Sequence, residues 1–315
     1  MKSDLAPIIL FVYNRPWHTE KTLEALMANK LSNESVLYIY ADGPKLNASF
    51  DAVNQINKVR EIIRQEKWCK EVTIMERKEN IGLAQNIITG VTEIIKKHGN
   101  AIVLEDDIVT SVGFLKYMND SLAFYKNNEK VMHISGYMYP HKEQLPETFF
   151  FNVPLCWGWA TWERAWNSFN PDAKYLWDEI HRKNIVLKLD KFGSKFLSSQ
   201  LAHNVSGDIN TWFIKWHASV LLKEGFTLYP SISLVDNIGF DRSGVHNGEN
   251  KNFKNFLLSD TIEIENIELT EDSNAEIIIK SFYKNYVNKK KYSFKNNVRT
   301  ILKKIILTLF PGYKK

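Results

Sequence analysis

The segment 101–118, AIVLEDDIVTSVGFLKYM, runs four apolar residues into three consecutive carboxylates, Glu105, Asp106 and Asp107. Three like charges in a row repel one another unless a positive partner sits with them. Carboxylates at the end of an apolar run suit a hard cation such as Mg²⁺ or Mn²⁺, which prefers oxygen ligands. Such ions are often held by one or two carboxylates together with substrate phosphates. On an extended chain Glu105 and Asp107 share one face and Asp106 takes the other, so the three need not share one task. A solvated acidic loop is the plain alternative. A second reactive candidate is Asp208 in SGDINTW, next to Gly207 and ahead of Trp212 and Trp216. A carboxylate within hydrogen-bond reach of a hydroxyl can remove its proton. The same position also suits a helix N-cap. Glu163, in WATWERAW, is the runner-up base, and a structural role is the better reading of it.

Other polar groups punctuate the chain where apolar runs end. Asn14 and Arg15 follow PIILFVY, and Arg15 can pair with a phosphate, with an acid of the triplet, or only with solvent. Asp42 opens Asp-Gly-Pro, a turn sequence. Gly82 lets backbone approach a ligand closely, and Asn86 follows one turn later. The aromatic-dense segment 149–169 holds Trp157, Trp159, Trp162 and Trp166. Such rings stack on ligand faces or pack a core; Trp157 and its neighbour Gly158 are the pair expected to line a site. Arg242 and His246 lie in a polar loop, GFDRSGVHN, where they are either phosphate and metal groups or ordinary surface residues.

These groups need elements to position them. PIILFVY, SVLYIYADG, EVTIMER and AIVLEDD read as buried strands. Between them, RPWHTEKTLEALMANKL, DAVNQINKVREIIRQEKW and GLAQNIITGVTEIIKKHG have helical spacing, the last closed by Gly99. A further helix follows in SVGFLKYMNDSLAFYKNN. Strands alternating with helices predict an α/β fold with a mainly parallel sheet flanked by helices. Ligands of such sheets bind at the carboxyl ends of the strands, where the groups above fall. After residue 130 the pattern loosens into a strand at VMHISGYMYP, the aromatic segment, and a helical region broken at Gly207 and Asp208. FTLYPSISL then reads as another strand.

The 315 residues are 44% hydrophobic and 24% charged, ordinary for a folded chain able to bury a large core. The two cysteines, Cys69 and Cys156, have no metal spacing, so a reduced, cytoplasmic setting is expected. The opening MKSDLAPIILFVYNRP is too short in its apolar run for a signal peptide, and no stretch has the length of a membrane span. Net charge is +5, with the excess gathered in the acid-free C-terminal segment. Nucleic-acid binding is not expected of so localised an excess. The tail instead alternates apolar residues with Lys and Arg, which suits peripheral contact with an anionic membrane surface; packing on protein is the alternative.

VLEDDIVTSVGFLKYM resembles the strand, DXD-type motif and following helix of GT-A fold glycosyltransferases. The likeness is to the bacterial family 2-like group and to N-acetylglucosaminyltransferases with a Glu-Asp-Asp motif. PIILFVYNRPWHTEKTLEAL, YIYADGP, ENIGLAQNIITGV and GDINTWFIKW resemble the opening strand and helix, the second strand, the Asn-Xaa-Gly turn and the acidic base segment of those enzymes. The resemblance covers roughly residues 7–250. It implies a GT-A (nucleotide-diphospho-sugar transferase) fold with a C-terminal helical extension. Residues 1–250 would be the catalytic domain, with 1–130 binding the nucleotide-sugar and 131–250 the acceptor. Residues 251–292 would connect it to a basic amphipathic tail, 293–315.

The resemblance further implies Mn²⁺ (or Mg²⁺) on Asp107, with His246 completing its shell. Asp106 would face the ribose and Glu105 the donor sugar. Asn14, Arg15, Asp42, Gly82, Asn86, Trp157, Gly158 and Arg242 would complete the donor site, with Asp42 on the nucleobase, and Asp208 would be the catalytic base. The implied activity is metal-dependent, inverting transfer from a UDP-sugar to a glycan or lipid-linked glycan, in bacterial surface polysaccharide synthesis on the inner face of the membrane. The competing classes are a nucleotidyltransferase and a non-catalytic glycan-binding protein. VYNRPWHTEKT lacks the Gly-rich first loop expected of the former.

Overall fold

The computed structural model describes residues 5–192, 195–241, 243, 253 and 257–286. The first half alternates as expected: β1 (Ile8–Val12), α1 (Pro16–Met27), β2 (Val36–Ala41), α2 (Phe50–Gln65), β3 (Glu71–Glu76), α3 (Leu83–His98) and β4 (Asn100–Glu105). A short β5 (Ile108–Thr110), α4 (Phe114–Phe124) and β6 (Val131–Ser135) follow. Then come β7 (Thr148–Phe151), β8 (Trp159–Trp162), α5 (Glu163–Trp166), α6 (Ala173–Arg182), α7 (Val186–Leu189), α8 (Phe196–Ser206), α9 (Phe213–Leu222), β9 (Phe226–Pro230) and β10 (Val235–Asn237).

Eight strands form one sheet in the order β3-β2-β1-β4-β8-β6-β9-β7, and β5 pairs with β10 in a separate ribbon. β1 through β4 are parallel to one another. β8 runs against both β4 and β6, and β9 is parallel to β6. Two antiparallel steps restore direction, so β6 and β9 end on the same edge as β1 to β4. Only β7 and β8 run the other way, and the sheet is mainly parallel.

Burial on both faces explains the unbroken apolar runs. Ile8, Leu10 and Val12 point into one core, shared with Leu23 and Leu26 of α1, Val59 of α2 and Phe114 of α4. Ile9 and Phe11 point into the other, against Ile87 and Val91 of α3 and Trp216 of α9. Gly90 is where α3 comes closest: a Cβ there would lie 2.9 Å from the Phe11 ring. Four-residue strands, TFFF and WATW, lie inside the aromatic segment. Trp159, Trp162 and Trp166 are buried in the core, which is the packing alternative for those rings.

The sheet crosses residue 130 without interruption, because β8 sits between β4 and β6. Residues after 257 also pack on it. Tyr125 Oη donates to the Glu265 carbonyl (3.0 Å), Asn152 N donates to Glu271 Oε1 (3.1 Å), and Lys191 pairs with Glu271. A last helix, residues 273–286, buries Ala275 and Ile279. Residues 293–315, and with them the basic tail, lie outside the described residues. No helix among the described residues is long and apolar enough to cross a membrane.

Candidate functional site

The acidic triplet does not continue as a strand. β4 ends at Glu105, and Asp106 and Asp107 form a turn before β5. The strict alternation expected for an extended chain therefore fails, and a turn puts Asp106 and Asp107 on one partner. That partner is Arg15, one residue ahead of α1. Its Nη2 donates to Asp106 Oδ1 and to Asp107 Oδ2 (2.9 Å), and its Nε lies 3.4 Å from Asp106 Oδ2. Asp106 and Asp107 are buried, and the Arg15 side chain is only 16% exposed.

α1 fastens this arrangement from several points. Thr22 Oγ1 donates to the Asp106 carbonyl (2.9 Å), and Asn29 Nδ2 donates to Thr110 Oγ1 (2.9 Å). Asn29 Oδ1 accepts from Leu115 N at 3.0 Å. From the other side, β10 pairs with β5 and Ile238 N donates to the Asp107 carbonyl (2.9 Å). At Gly239 a side chain would collide with the Asp107 carboxylate and come within 3.0 Å of Arg15 Nη1. His18, buried one helical turn past Arg15, sits 3.1 Å from Asp241 Oδ2.

Among the described residues, three carboxylates face one guanidinium. Burial, then Asp107 and Asp106, push the pKa of Glu105 up to about 8. Burial also raises that of Asp106, against the pull of Arg15. Burial alone would lower the pKa of Arg15, but Asp106 and Asp107 outweigh it and raise it. Among the described residues no three His, Cys, Asp or Glu side chains converge on one point. Two carboxylates in one turn match the chemistry of a cation that takes one or two carboxylates and draws its remaining ligands from phosphate and water, as Mg²⁺ and Mn²⁺ do. Asp107 and Asp106 would hold it.

The carboxyl end of β2 carries a second cluster. Asp42 is buried, and its oxygens accept from the backbone N–H of Gly43 (2.9 Å), Ile81 (3.1 Å) and Gly82 (3.1 Å) and from Asn80 Nδ2 (2.9 Å). Four donors occupy the lone pairs of both oxygens, so in this state Asp42 organises the turn after β3. Gly82, at φ 81°, is the residue before α3 and faces open space. Asn86 is buried, with its Oδ1 taken by Arg77 Nε (2.8 Å). Asn14 is half-buried at the end of β1. Asp42→Ala removes all four bonds and is expected to cost about 3 kcal/mol of folding stability. Urea unfolding checks this; a loss below 1 kcal/mol would show that water replaces the carboxylate.

Trp157 and Gly158 also lie at this edge, because β8 starts where β4 ends. Gly158 has φ 61° and its carbonyl accepts from Gly136 N at 2.7 Å. Trp157 is half-buried, edge-on to Tyr137 and Phe240 with centroids 4.6 and 5.5 Å away. Asp208 lies in the α8–α9 connection. α9 runs back toward the start of β9, so its own start, at Trp212, is at the carboxyl edge. Trp212 stacks on Trp159 at 5.4 Å, and Trp159 pairs with Val103 of β4. Asp208 is exposed and accepts from Ser206 Oγ (2.7 Å), with His203 Nδ1 at 3.0 Å; these contacts lower its pKa. It does not cap α9, whose N-cap is Trp212. Glu163 follows the end of β8, which pairs with the start of β4, and so occupies the opposite edge. That sets it apart from the turn of Asp106 and Asp107. Arg242 and His246 lie outside the described residues.

His18, Asn80, Gly239 and Asp241 escaped the sequence reading. Asn80 carried a signal, as the first residue of the Asn-Ile-Gly turn, and His18 another, three residues after Arg15. Gly239 and Asp241 carried none, because β10 was not foreseen.

No protein-family model matches the chain, and no curated protein matches it. Among solved structures it is similar to a mannosyltransferase from Pyrobaculum calidifontis in complex with GDP-Man and Mn²⁺. There the identity is 13% over 43% of this chain and 38% of that one, with a TM-score of 0.30. It is also similar to TarS of S. aureus, at 13% identity over 45% of this chain and 23% of that one, TM-score 0.29. For residues 1–349 of TarS the figures are 14%, 45%, 41% and 0.29. The chain spans less than half the length of each.

Proposed function

We propose that this chain is a metal-dependent, inverting glycosyltransferase of the GT-A type. It would move a sugar from a UDP-sugar to a glycan or lipid-linked glycan in bacterial surface polysaccharide synthesis. The observation that carries the reading is the buried carboxylate pair, Asp106 and Asp107, at the carboxyl end of β4, paired with Arg15. Breaking a sugar–phosphate bond leaves a charged diphosphate, and a bound divalent cation would stabilise it as a Lewis acid. Arg15 would neutralise phosphate beside it. The turn organised by Asp42, with Gly82 and Asn86, would flank the nucleotide together with Asn14; Trp157 and Gly158 would line the sugar. Arg242 and His246 remain proposed phosphate and metal groups. The basic tail would bring the enzyme to an anionic membrane surface that carries the acceptor.

A panel of nucleotide-sugars with Mn²⁺, read as released nucleoside diphosphate, tests the proposal. One donor should be turned over at a rate that chelation abolishes. No release from any donor, with or without acceptor glycans, counts against it. Asp208, as the proposed base, acts on the acceptor hydroxyl and not on the nucleotide. Asp208→Asn should therefore lower transfer by about 10²–10⁴-fold and leave donor affinity within about twofold by calorimetry. Near-normal transfer would remove Asp208 from the chemistry.

A further inference from the structure

We infer that Arg15 competes with the divalent cation for Asp107, so that the cation enters together with the donor's diphosphate and not ahead of it. This rests on the glycosyl-transfer reading, in taking a metal–diphosphate as the ligand.

The competition follows from what holds Asp107. Its Oδ2 is 2.9 Å from Arg15 Nη2, and the Gly239 backbone packs against the same oxygen. The other carboxylate of the pair, Asp106, is also bound to the guanidinium. A cation that takes Asp107 Oδ2 therefore displaces an Arg15 hydrogen bond. Arg15 cannot escape by losing its proton. Nor can its backbone withdraw, since the Arg15 carbonyl accepts from both Thr19 N (3.0 Å) and Thr19 Oγ1 (2.9 Å). The guanidinium would keep Asp106 but lose the charge and hydrogen bond of Asp107, so its burial would be less fully compensated. A diphosphate removes that obstacle. Its oxygens match the planar fork of a guanidinium as well as a carboxylate does. Arg15 then exchanges Asp107 for phosphate while the cation takes the vacated oxygen. Each ligand makes room for the other, which is a positive coupling between two sites.

The test is Mn²⁺ affinity of the full chain, measured by electron paramagnetic resonance of the free ion, alone and with UDP or GDP. The wild type should bind Mn²⁺ at least about tenfold more tightly with a nucleotide than without. Arg15→Gln frees Asp107, and should bind Mn²⁺ alone at least about tenfold more tightly than the wild type. The same variant should bind the Mn²⁺–nucleotide complex more weakly. These opposite signs distinguish competition from a structural role, which would weaken both. Arg15→Lys keeps the charge without the fork and should shift both affinities in the same directions by less.

Equal Mn²⁺ affinity in the wild type with and without nucleotide would overturn the inference without recourse to any variant. So would nucleotide-dependent Mn²⁺ binding in the wild type with no tightening in Arg15→Gln; in that case the transfer reading would stand. Absence of Mn²⁺ binding in both proteins under every condition would overturn the metal assignment itself, and this inference with it.

Discussion

Asp107→Asn is expected to lower donor turnover about a thousandfold and to abolish Mn²⁺-dependent nucleotide binding while the fold survives. An amide offers one neutral oxygen where the carboxylate offers a charged one, so the protein's direct hold on the cation is lost. Lewis-acid stabilisation of a leaving group amounts to several kcal/mol; about 4 kcal/mol corresponds to about a thousandfold in rate. The fold should tolerate the change because the Asp107 backbone, through its carbonyl bond to Ile238 N, holds β5 to β10 independently of the side chain. Calorimetry of UDP with and without Mn²⁺ decides the matter. Unchanged metal-dependent affinity in the variant would remove Asp107 from the cation site.

Acid should unfold the protein early, and two histidines set the range. His133 is fully buried between Trp159 and Trp216, with its Nε2 3.0 Å from the Leu155 carbonyl and its Nδ1 accepting from Trp216 Nε1 at 3.1 Å. His217 is also fully buried, and neither ring nitrogen has a hydrogen-bond partner among the described residues. Burial lowers both pKa values to about 3; the nearby Lys191 adds to the effect on His217. Both rings are neutral in the folded protein, whereas the unfolded chain takes up their protons below about 6.5. Their contribution is therefore fully present above pH 6.5 and is lost as pH falls toward 3. Each costs about 1.4 kcal/mol per pH unit across that window, about 4 kcal/mol for the pair by pH 5. Urea midpoints followed from pH 7 to pH 5 test this. His217→Met should be nearly neutral at pH 7, since no hydrogen bond is lost, and should lower the loss of stability by about 1.4 kcal/mol per pH unit relative to the wild type. An unchanged slope in His217→Met would mean that protons reach this ring without unfolding, and the difference from the wild type cancels the opposing contribution of Glu105 and Asp106.

The first half of the fold was legible because its strands are covered on both faces and its helices carry one apolar stripe. IILFV and NAIVLE have no periodicity that a solvated strand would show, and length with flanking turns identifies them. The second half was less so. β7 and β8 are four residues long and built from Phe, Trp, Thr and Ala, which read equally well as loop or core. The turn at Asp106 and Asp107 was hidden for a different reason. Nothing in EDD marks the end of a strand, and the geometry there is imposed by Thr22 and Ile238 from distant parts of the chain. Arg15 could be foreseen as a partner of the triplet, among other roles. The role of Asp42 in holding the next turn could not, because three of its four donors come from residues 80–82.

The strand order has a consequence for how the chain is made. β4 is flanked by β1, which precedes it, and by β8, which follows it by more than 50 residues, from Glu105 to Trp159. A ribosome adding about 5–20 residues per second takes about 3–11 s to cover that interval. During that time β1 to β4 can assemble, but the outer edge of β4 offers its N–H and C=O groups to whatever strand arrives first. The nascent protein therefore has a window of seconds in which pairing with a second nascent copy competes with its own completion. Synthesis that stalls before Trp162 should favour such aggregates over the finished sheet.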